Sequence, residues 1–152
     1  MNISAVTSHI TGIRQHIFSI FTGNMDYYLL SNSSWQYFTS PNYPNNYDNG
    51  ADISWQIHNQ YGYYIALQVM DIQLESGYDY LHLYDGNSAD YPTLASLTGS
   101  NNNGSIYYST GSYMYVKFTS DDIITNRGFQ LRYQGTYTTP GIPTTPTPGL
   151  IT

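Results

Sequence analysis

From Trp35 onward, apolar residues alternate with polar residues in short runs, which is the pattern of β-strands that bury one face. The clearest runs are Ile53 to Ile57, Ile65 to Val69, Leu81 to Leu83, Met114 to Phe118, and Phe129 to Tyr133. Clusters of Gly, Asn, Asp, Ser and Pro separate these runs and indicate turns. Short strands at this spacing predict an all-β domain in which two antiparallel sheets pack face to face.

Apolar residues in the N-terminal segment, residues 1–34, follow a different period. They recur at alternating steps of three and four, at Ile3, Val6, Ile10, Ile13, Ile17 and Ile20. This spacing predicts the seam of an amphipathic helix or coiled coil, and isoleucine at both seam positions favours a homotrimer. Gly12 and the many β-branched residues lower the helix propensity, so strands, or packing of the segment on its own domain, are the alternative.

The C-terminal segment, residues 136–152, is rich in Thr and Pro. Its prolines lack a backbone donor and favour extended polyproline conformations, which is typical of a linker or tail. The sequence therefore predicts three parts. These are an N-terminal extension that serves assembly over 1–34, a β-sandwich over 35–135, and a tail over 136–152.

The charge of the chain narrows the range of partners. Four Lys or Arg residues stand against ten Asp or Glu residues, and the formal net charge is −6. Because the basic residues do not cluster, nucleic acid and anionic membranes are poor partners. No segment approaches the roughly 20 consecutive apolar residues of a membrane-spanning helix, so we predict no membrane insertion.

Catalytic patterns are weak in this sequence. The histidines do not show the spacing of metal ligands, and neither a phosphate-binding loop nor a nucleophile elbow is recognisable. Paired carboxylates are available, but nothing indicates a substrate cleft between them. We therefore predict that the protein is not an enzyme.

Several short motifs occur in a fixed order between Ser40 and Gly135. They are Ser40-Pro41-Asn42-Tyr43-Pro44-Asn45-Asn46-Tyr47, Trp55-Gln56-Ile57, Leu74-Glu75, Tyr78-Asp79-Tyr80-Leu81, Tyr84-Asp85-Gly86, Phe118-Thr119-Ser120-Asp121 and Gly128-Phe129. In order and spacing they resemble the CUB domain, a β-sandwich of the jelly-roll type. The resemblance implies a non-enzymatic interaction module of extracellular proteins.

The resemblance to the calcium-binding CUB subtype also implies a metal site. Carried over residue by residue, its ligands are Glu75, Asp79 and Asp121, with the Tyr47 hydroxyl as support. Two further candidates are the side chain of Asp122 and the main chain of Ile123. Calcium prefers several oxygen ligands and tolerates irregular geometry, so these groups suit it. The alternative is that these acids form turns and cap strand ends.

The same resemblance implies how a partner binds. In such a site, the acidic ligands Glu75, Asp79 and Asp121 receive a Lys or Arg side chain from a partner protein. Tyrosines near the same end, namely Tyr47, Tyr78 and Tyr80, offer rigid apolar area with polar tips. Such tyrosines suit contacts with a protein or a glycan.

The chain departs from the family in its lack of cysteine, because CUB domains usually carry one or two disulfides. Ile53 stands where one cysteine is often found, and Ser76 and Thr98 fall near another expected pair. The sandwich must then hold without the about 2–5 kcal/mol that a native disulfide typically contributes to a small secreted domain.

Two functions fit these observations. The first is a calcium-stabilised module that binds protein or glycan at an extracellular, cell-surface or virion-surface location. The alternative is a purely structural, self-assembling subunit of a virus particle, an appendage or a surface layer. The isoleucine seam, the tail and the missing cysteines favour the alternative, whereas the acidic constellation favours the first function, which we predict.

Overall fold

The computed structural model describes residues 16–18, 25–60 and 64–136, and all of its regular structure is β-strand. In chain order the strands are β1 (His16–Phe18), β2 (Met25–Ser31), β3 (Gln36–Thr39), β4 (Asp52–Asn59), β5 (Tyr64–Gln73), β6 (Tyr80–Tyr84), β7 (Thr93–Leu97), β8 (Ile106–Tyr108), β9 (Tyr113–Thr119) and β10 (Gly128–Thr136). Among the described residues, no helix is long and apolar enough to cross a membrane.

The strands form two sheets that pack on each other. The larger sheet has six strands in the order β1-β2-β4-β9-β6-β7, and the smaller has four in the order β3-β10-β5-β8. Neighbouring strands are antiparallel except for β2 and β4, which run parallel. The predicted all-β sandwich of two mainly antiparallel sheets is therefore confirmed.

Strand β2 extends the larger sheet into the segment that the sequence assigned to the N-terminal extension. It pairs with β4 over seven residues, from Met25 opposite Ile53 to Ser31 opposite Asn59. The predicted isoleucine seam lies outside the described residues except for Ile17, which lies in β1. The helix and trimer predictions, and the predicted tail beyond 136, therefore stay predictions.

The predicted alternation accounts for the core. The apolar residues of the predicted runs in β4, β5, β6, β9 and β10 are all buried between the sheets. Phe129 of β10 holds the centre, with ring centroids 5.6 Å from Trp55, 5.5 Å from Phe118 and 6.4 Å from Phe38. These near-perpendicular contacts join strands of both sheets, and such aromatic pairs stabilise beyond the area they bury.

Hydrogen bonds stand where the family places a second disulfide. The Thr98 hydroxyl accepts a hydrogen bond from the amide of Gly77 at 2.9 Å and donates to the carbonyl of Glu75 at 3.0 Å. These bonds join the loop that follows β5 to the end of β7. Ile53, at the other expected cysteine position, belongs to the buried core.

Gly128 allows the start of β10 to approach the end of β3. Its φ of +83° is in the left-handed region, and a Cβ at this position would lie 1.9 Å from the Ser40 hydroxyl oxygen. That hydroxyl accepts a hydrogen bond from the amide of Phe129 at 3.0 Å, and the Ser40 amide donates to the Phe129 carbonyl at 3.0 Å. A side chain at 128 would break these bonds and displace the central core residue.

We therefore expect Gly128→Ala to lower the free energy of unfolding by about 2–5 kcal/mol. This sum combines the about 1–2 kcal/mol of left-handed backbone strain with the about 1–3 kcal/mol of an overpacked site. Gly104→Ala is the matched control, because Gly104 has a φ of +85° with no atom within 4 Å of the added Cβ. Equal losses in urea denaturation of the two variants would contradict the steric explanation.

Candidate metal site

Three carboxylates converge at one end of the sandwich. Glu75 follows β5, Asp79 precedes β6 and Asp121 follows β9, and each offers one oxygen within 4.8 Å of the others. Asp79 is buried, whereas Glu75 and Asp121 are half-buried. The structure therefore brings together the three acids that the sequence proposed as ligands, although they come from two loops that are distant in sequence.

A tight turn between β5 and β6 places Glu75 and Asp79. The amides of Tyr78 and Asp79 donate to the Glu75 carbonyl at 3.4 and 3.1 Å, which closes the turn. Gly77 within it has a φ of +83°, a conformation that favours glycine. The two carboxylates thus leave the same short loop toward one point.

Asp121 is fixed by its own main chain and by its neighbours. Its amide donates to Asp79 Oδ1 at 2.9 Å, and its side chain accepts from the amide of Ile123 at 2.9 Å. Its carbonyl accepts from the amide of Gly50 at 2.7 Å. The loop after β9 is therefore held both to the site and to the loop before β4.

Tyr47 supports the site from the inside. Its hydroxyl donates to Asp79 Oδ2 and accepts from the amide of Glu75 at 3.1 Å. The ring packs edge to face on Phe118, with centroids 5.0 Å apart, and the amide of Tyr47 donates to the Asn126 carbonyl at 3.0 Å. One buried side chain thus links the core to two of the three acids.

The electrostatics of the site leave one acid poorly satisfied. Partial loss of solvation, together with the charges of Asp121 and Asp79, raises the pKa of Glu75 above its usual value. The Oε2 atom of Glu75 is buried and has no hydrogen-bond partner within the part of the chain that the structure describes. Burial and the hydrogen bond to Asp79 raise the pKa of Tyr47 to about 12, so its hydroxyl stays protonated and donates at neutral pH.

These residues fit a hard cation. A buried carboxylate oxygen without a donor is costly, and a bound cation is a partner that removes both the desolvation penalty and the repulsion among the acids. An all-oxygen donor set with several negative charges suits Ca²⁺ better than a soft transition metal. Among the described residues, no other group of three His, Asp or Glu side chains lies close enough to hold a metal.

The remaining predicted site residues lie around this cluster. The exposed side chain of Asp122 does not join it and lies toward Gly50, while the main-chain amide of Ile123 serves Asp121. Tyr78 is 65% exposed, and Tyr80 donates to the Gly77 carbonyl at 3.1 Å.

One part of the partner prediction does not hold. Tyr47 is only 2% exposed because its ring is packed in the core, so it offers no surface to a partner. The sequence analysis considered only the main chain of Ile123 and did not consider Ile124, whereas their side chains at the same end are 76% and 52% exposed. The sequence feature that could have indicated this exposure is the Ile-Ile pair directly after Asp121-Asp122, because it lies in a loop between two predicted strands.

Comparison with known proteins agrees with the fold. A family model described as the CUB domain matches residues 28–133. Rat cubilin is 33% identical over 95 residues, which cover 62% of this chain and 3% of cubilin. Human tolloid-like protein 2 is 35% identical over 96 residues, which cover 60% of this chain and 9% of that protein. The chain thus spans less than a tenth of these relatives.

Solved structures show the same architecture. The full extracellular region of zebrafish Gpr126/Adgrg6 matches with a TM-score of 0.63 and 30% identity, over 72% of this chain and 15% of that chain. The MASP-1 CUB2 domain, solved bound to Ca²⁺, matches with a TM-score of 0.59 and 24% identity, over 75% of this chain and 99% of that domain. With the family model matched over 28–133, these findings show that the chain belongs to the CUB domain family.

Proposed function

We propose that this CUB domain is a non-enzymatic, calcium-stabilised interaction module that works outside the cell and binds a partner protein at its acidic end. The observation that carries the proposal is the convergence of Glu75, Asp79 and Asp121, with a buried oxygen of Glu75 that has no hydrogen-bond partner among the described residues. Without a cation this arrangement is repulsive. With Ca²⁺ it orders the loops that carry the three acids.

The ion has a direct consequence for the surrounding loops. Glu75 and Asp79 lie in the β5–β6 loop and Asp121 lies in the β9–β10 loop. Tyr47 and the Asp121 amide already occupy the two oxygens of Asp79. A cation held by all three acids would therefore tie the β5–β6 loop to the β9–β10 loop. Ligand binding that is confined to the folded state raises stability by mass action.

The surface around the acids suits a partner with a basic side chain beside apolar ones. Carboxylate oxygens that face outward accept a Lys or Arg in a charge-assisted contact, which supplies specificity. Tyr78, Ile123 and Ile124 surround them with exposed apolar area. Apolar contacts beside a desolvated charge pair are typical of the centre of a protein interface.

An extracellular setting is supported by one matched structure, which is the full extracellular region of zebrafish Gpr126/Adgrg6. The MASP-1 domain of the same fold was solved bound to Ca²⁺, which supports the compatibility of the fold with that ion. The main support for a bound Ca²⁺ comes from the three carboxylates of this chain, those of Glu75, Asp79 and Asp121. A virion-surface location, a homotrimer and glycan binding at the acidic end stay predictions from the sequence.

We expect Ca²⁺ to raise the melting temperature by about 5–10 °C over excess chelator, at a hundredfold excess over its Kd. Glu75→Gln should abolish most of this rise, because it removes one ligand charge while keeping the side-chain shape. In chelator, the same variant should melt at or above the wild-type temperature, because the raised pKa of Glu75 shows that its charge is unfavourable there.

The control for this experiment is Asp90→Asn, which removes the same charge from an exposed loop residue outside the cluster. It should keep the full calcium response. A wild-type protein whose melting temperature is the same in calcium and in chelator would retire the calcium proposal. An equal loss of response in both variants would mean that net charge, and not the site, governs the effect.

Tyr47→Phe should lower the free energy of unfolding by about 1–3 kcal/mol in chelator, because Asp79 loses a donor and the Glu75 amide loses an acceptor. It should also weaken Ca²⁺ binding about tenfold in calorimetric titration, since Asp79 is no longer held in place. Tyr133→Phe is the matched control, because this buried hydroxyl makes only a 3.5 Å contact with the Leu30 carbonyl. Unchanged calcium affinity in Tyr47→Phe would refute the supporting role.

A further inference from the structure

A row of side chains crosses the outer face of the six-stranded sheet, away from the acidic end. Gln56 of β4 is paired with Tyr28 of β2 on one side and with Tyr115 of β9 on the other. Tyr115 is paired in turn with Tyr84 of β6. Each of the four is half-buried and adjoins a buried residue in its own strand, so the row lies on the outer face.

The row forms the floor of a groove. The groove has a volume of about 360 Å³, and Tyr28, Gln56 and Tyr115 line it. Ser54 and Asp26 lie beside the row, and the Ser54 hydroxyl donates to the Asp26 carboxylate. Tyr27 and, from the β6–β7 loop, Asn87 and Ser88 also line the groove, so every described lining residue carries a hydroxyl, an amide or a carboxylate.

Polar groups in this groove are available to a ligand. Within the described part of the chain, the side-chain amides of Gln56 and Asn87 are not engaged in any hydrogen bond that holds the fold, unlike most amides near the acidic end. Asp26 is exposed and keeps lone pairs beyond its bond from Ser54. The lining therefore offers both hydrogen-bond donors and acceptors to a ligand.

The aromatic rings continue beyond the groove. The ring of Tyr84 lies 6.1 Å from that of Tyr115 and 6.1 Å from that of His82. His82 stacks on Tyr80, with ring centroids 5.5 Å apart and an angle of 8° between the rings. Four adjacent strands at about 4.8 Å spacing make the row about 14 Å long. Successive positions are thus separated by a distance comparable with one pyranose ring in an oligosaccharide.

We propose that this groove binds a neutral oligosaccharide, independently of the acidic end. Tyrosine faces pack against the C–H faces of sugar rings, while amides and a carboxylate hydrogen-bond the hydroxyls. The sugar is uncharged because the chain has a net charge of −6, and Lys117 beside the row is paired with Asp52 at 3.1 Å. A protein partner fits less well, since no aliphatic side chain among the described residues lines the groove.

The first experiment screens the protein in excess chelator on an array of neutral oligosaccharides of glucose, galactose, mannose and N-acetylglucosamine, with sialylated and sulfated glycans included. Neutral ligands found there are titrated by calorimetry against the wild-type protein and against Glu75→Gln. Equal affinities in chelator and in calcium, and in both proteins, support a site that is separate from the acidic end. Failure of the calcium proposal would leave this result unchanged.

Three variants then locate the site. Tyr115→Ala and Asn87→Ala should each weaken binding at least about tenfold, which corresponds to about 1.4 kcal/mol. Asn87 lies in a loop, so its variant tests the groove even if Tyr115→Ala destabilises the sheet. Tyr108→Ala is the matched control, because that tyrosine is 38% exposed on β8 of the other sheet and should bind as wild type.

Four results would overturn the proposal. They are no saccharide bound at millimolar concentration, binding only to sialylated or sulfated glycans, an equal loss in Tyr108→Ala, and loss of binding in chelator. The first of these would leave the row as a surface for a protein partner.

Discussion

The contacts of Phe129 with three other aromatic rings hold the two sheets together, and the acidic end depends on them. Phe129 lies against Phe118, and Phe118 lies against Tyr47. The hydroxyl of Tyr47 then reaches Asp79 and the amide of Glu75. Because protein interiors are close-packed, this chain of contacts fixes the position of two carboxylates relative to the core.

At the acidic end, hydrogen bonds that stabilise the loops oppose the repulsion and desolvation of three nearby carboxylates. Asp79 is buried, but two donors satisfy it, whereas one buried oxygen of Glu75 has no donor among the residues at 16–18, 25–60 and 64–136. A fold that lacks disulfides can keep such a cluster only if neighbouring bonds compensate. Thr98 supplies two of them, to Gly77 and to the carbonyl of Glu75, on the side where the family usually places a covalent bridge. The loop is therefore held in place by hydrogen bonds that a cation would reinforce.

Much of the fold was predictable because burial on one face imposes a period of two on each strand. The alternation in β4, β5, β6, β9 and β10 gave those strands and their buried residues correctly. Strand β2 lies in the segment for which the sequence left helix and strand open, because its parallel pairing with β4 depends on a partner distant in sequence and not on a local turn. The three acids were found through the resemblance to a family, since no local pattern brings Glu75 and Asp121 together. The exposure of Ile123 and Ile124 depends on how their loop is tied to Gly50 and Asp79, which sequence alone does not show.

The row on the outer face, like the pairing of β2 with β4, depends on contacts between strands that are distant in sequence. Tyr28, Gln56, Tyr115 and Tyr84 are far apart in the sequence, and only the order β2-β4-β9-β6 places them side by side. Strand β6 also connects the two regions, since Asp79 precedes it and Tyr84 ends it. Five strand residues at about 3.4 Å each separate them by about 17 Å, roughly twice the Debye length at physiological ionic strength. A charge bound at one end of β6 is therefore largely screened from the groove at the other. One small sandwich can thus present two surfaces whose ligands do not compete.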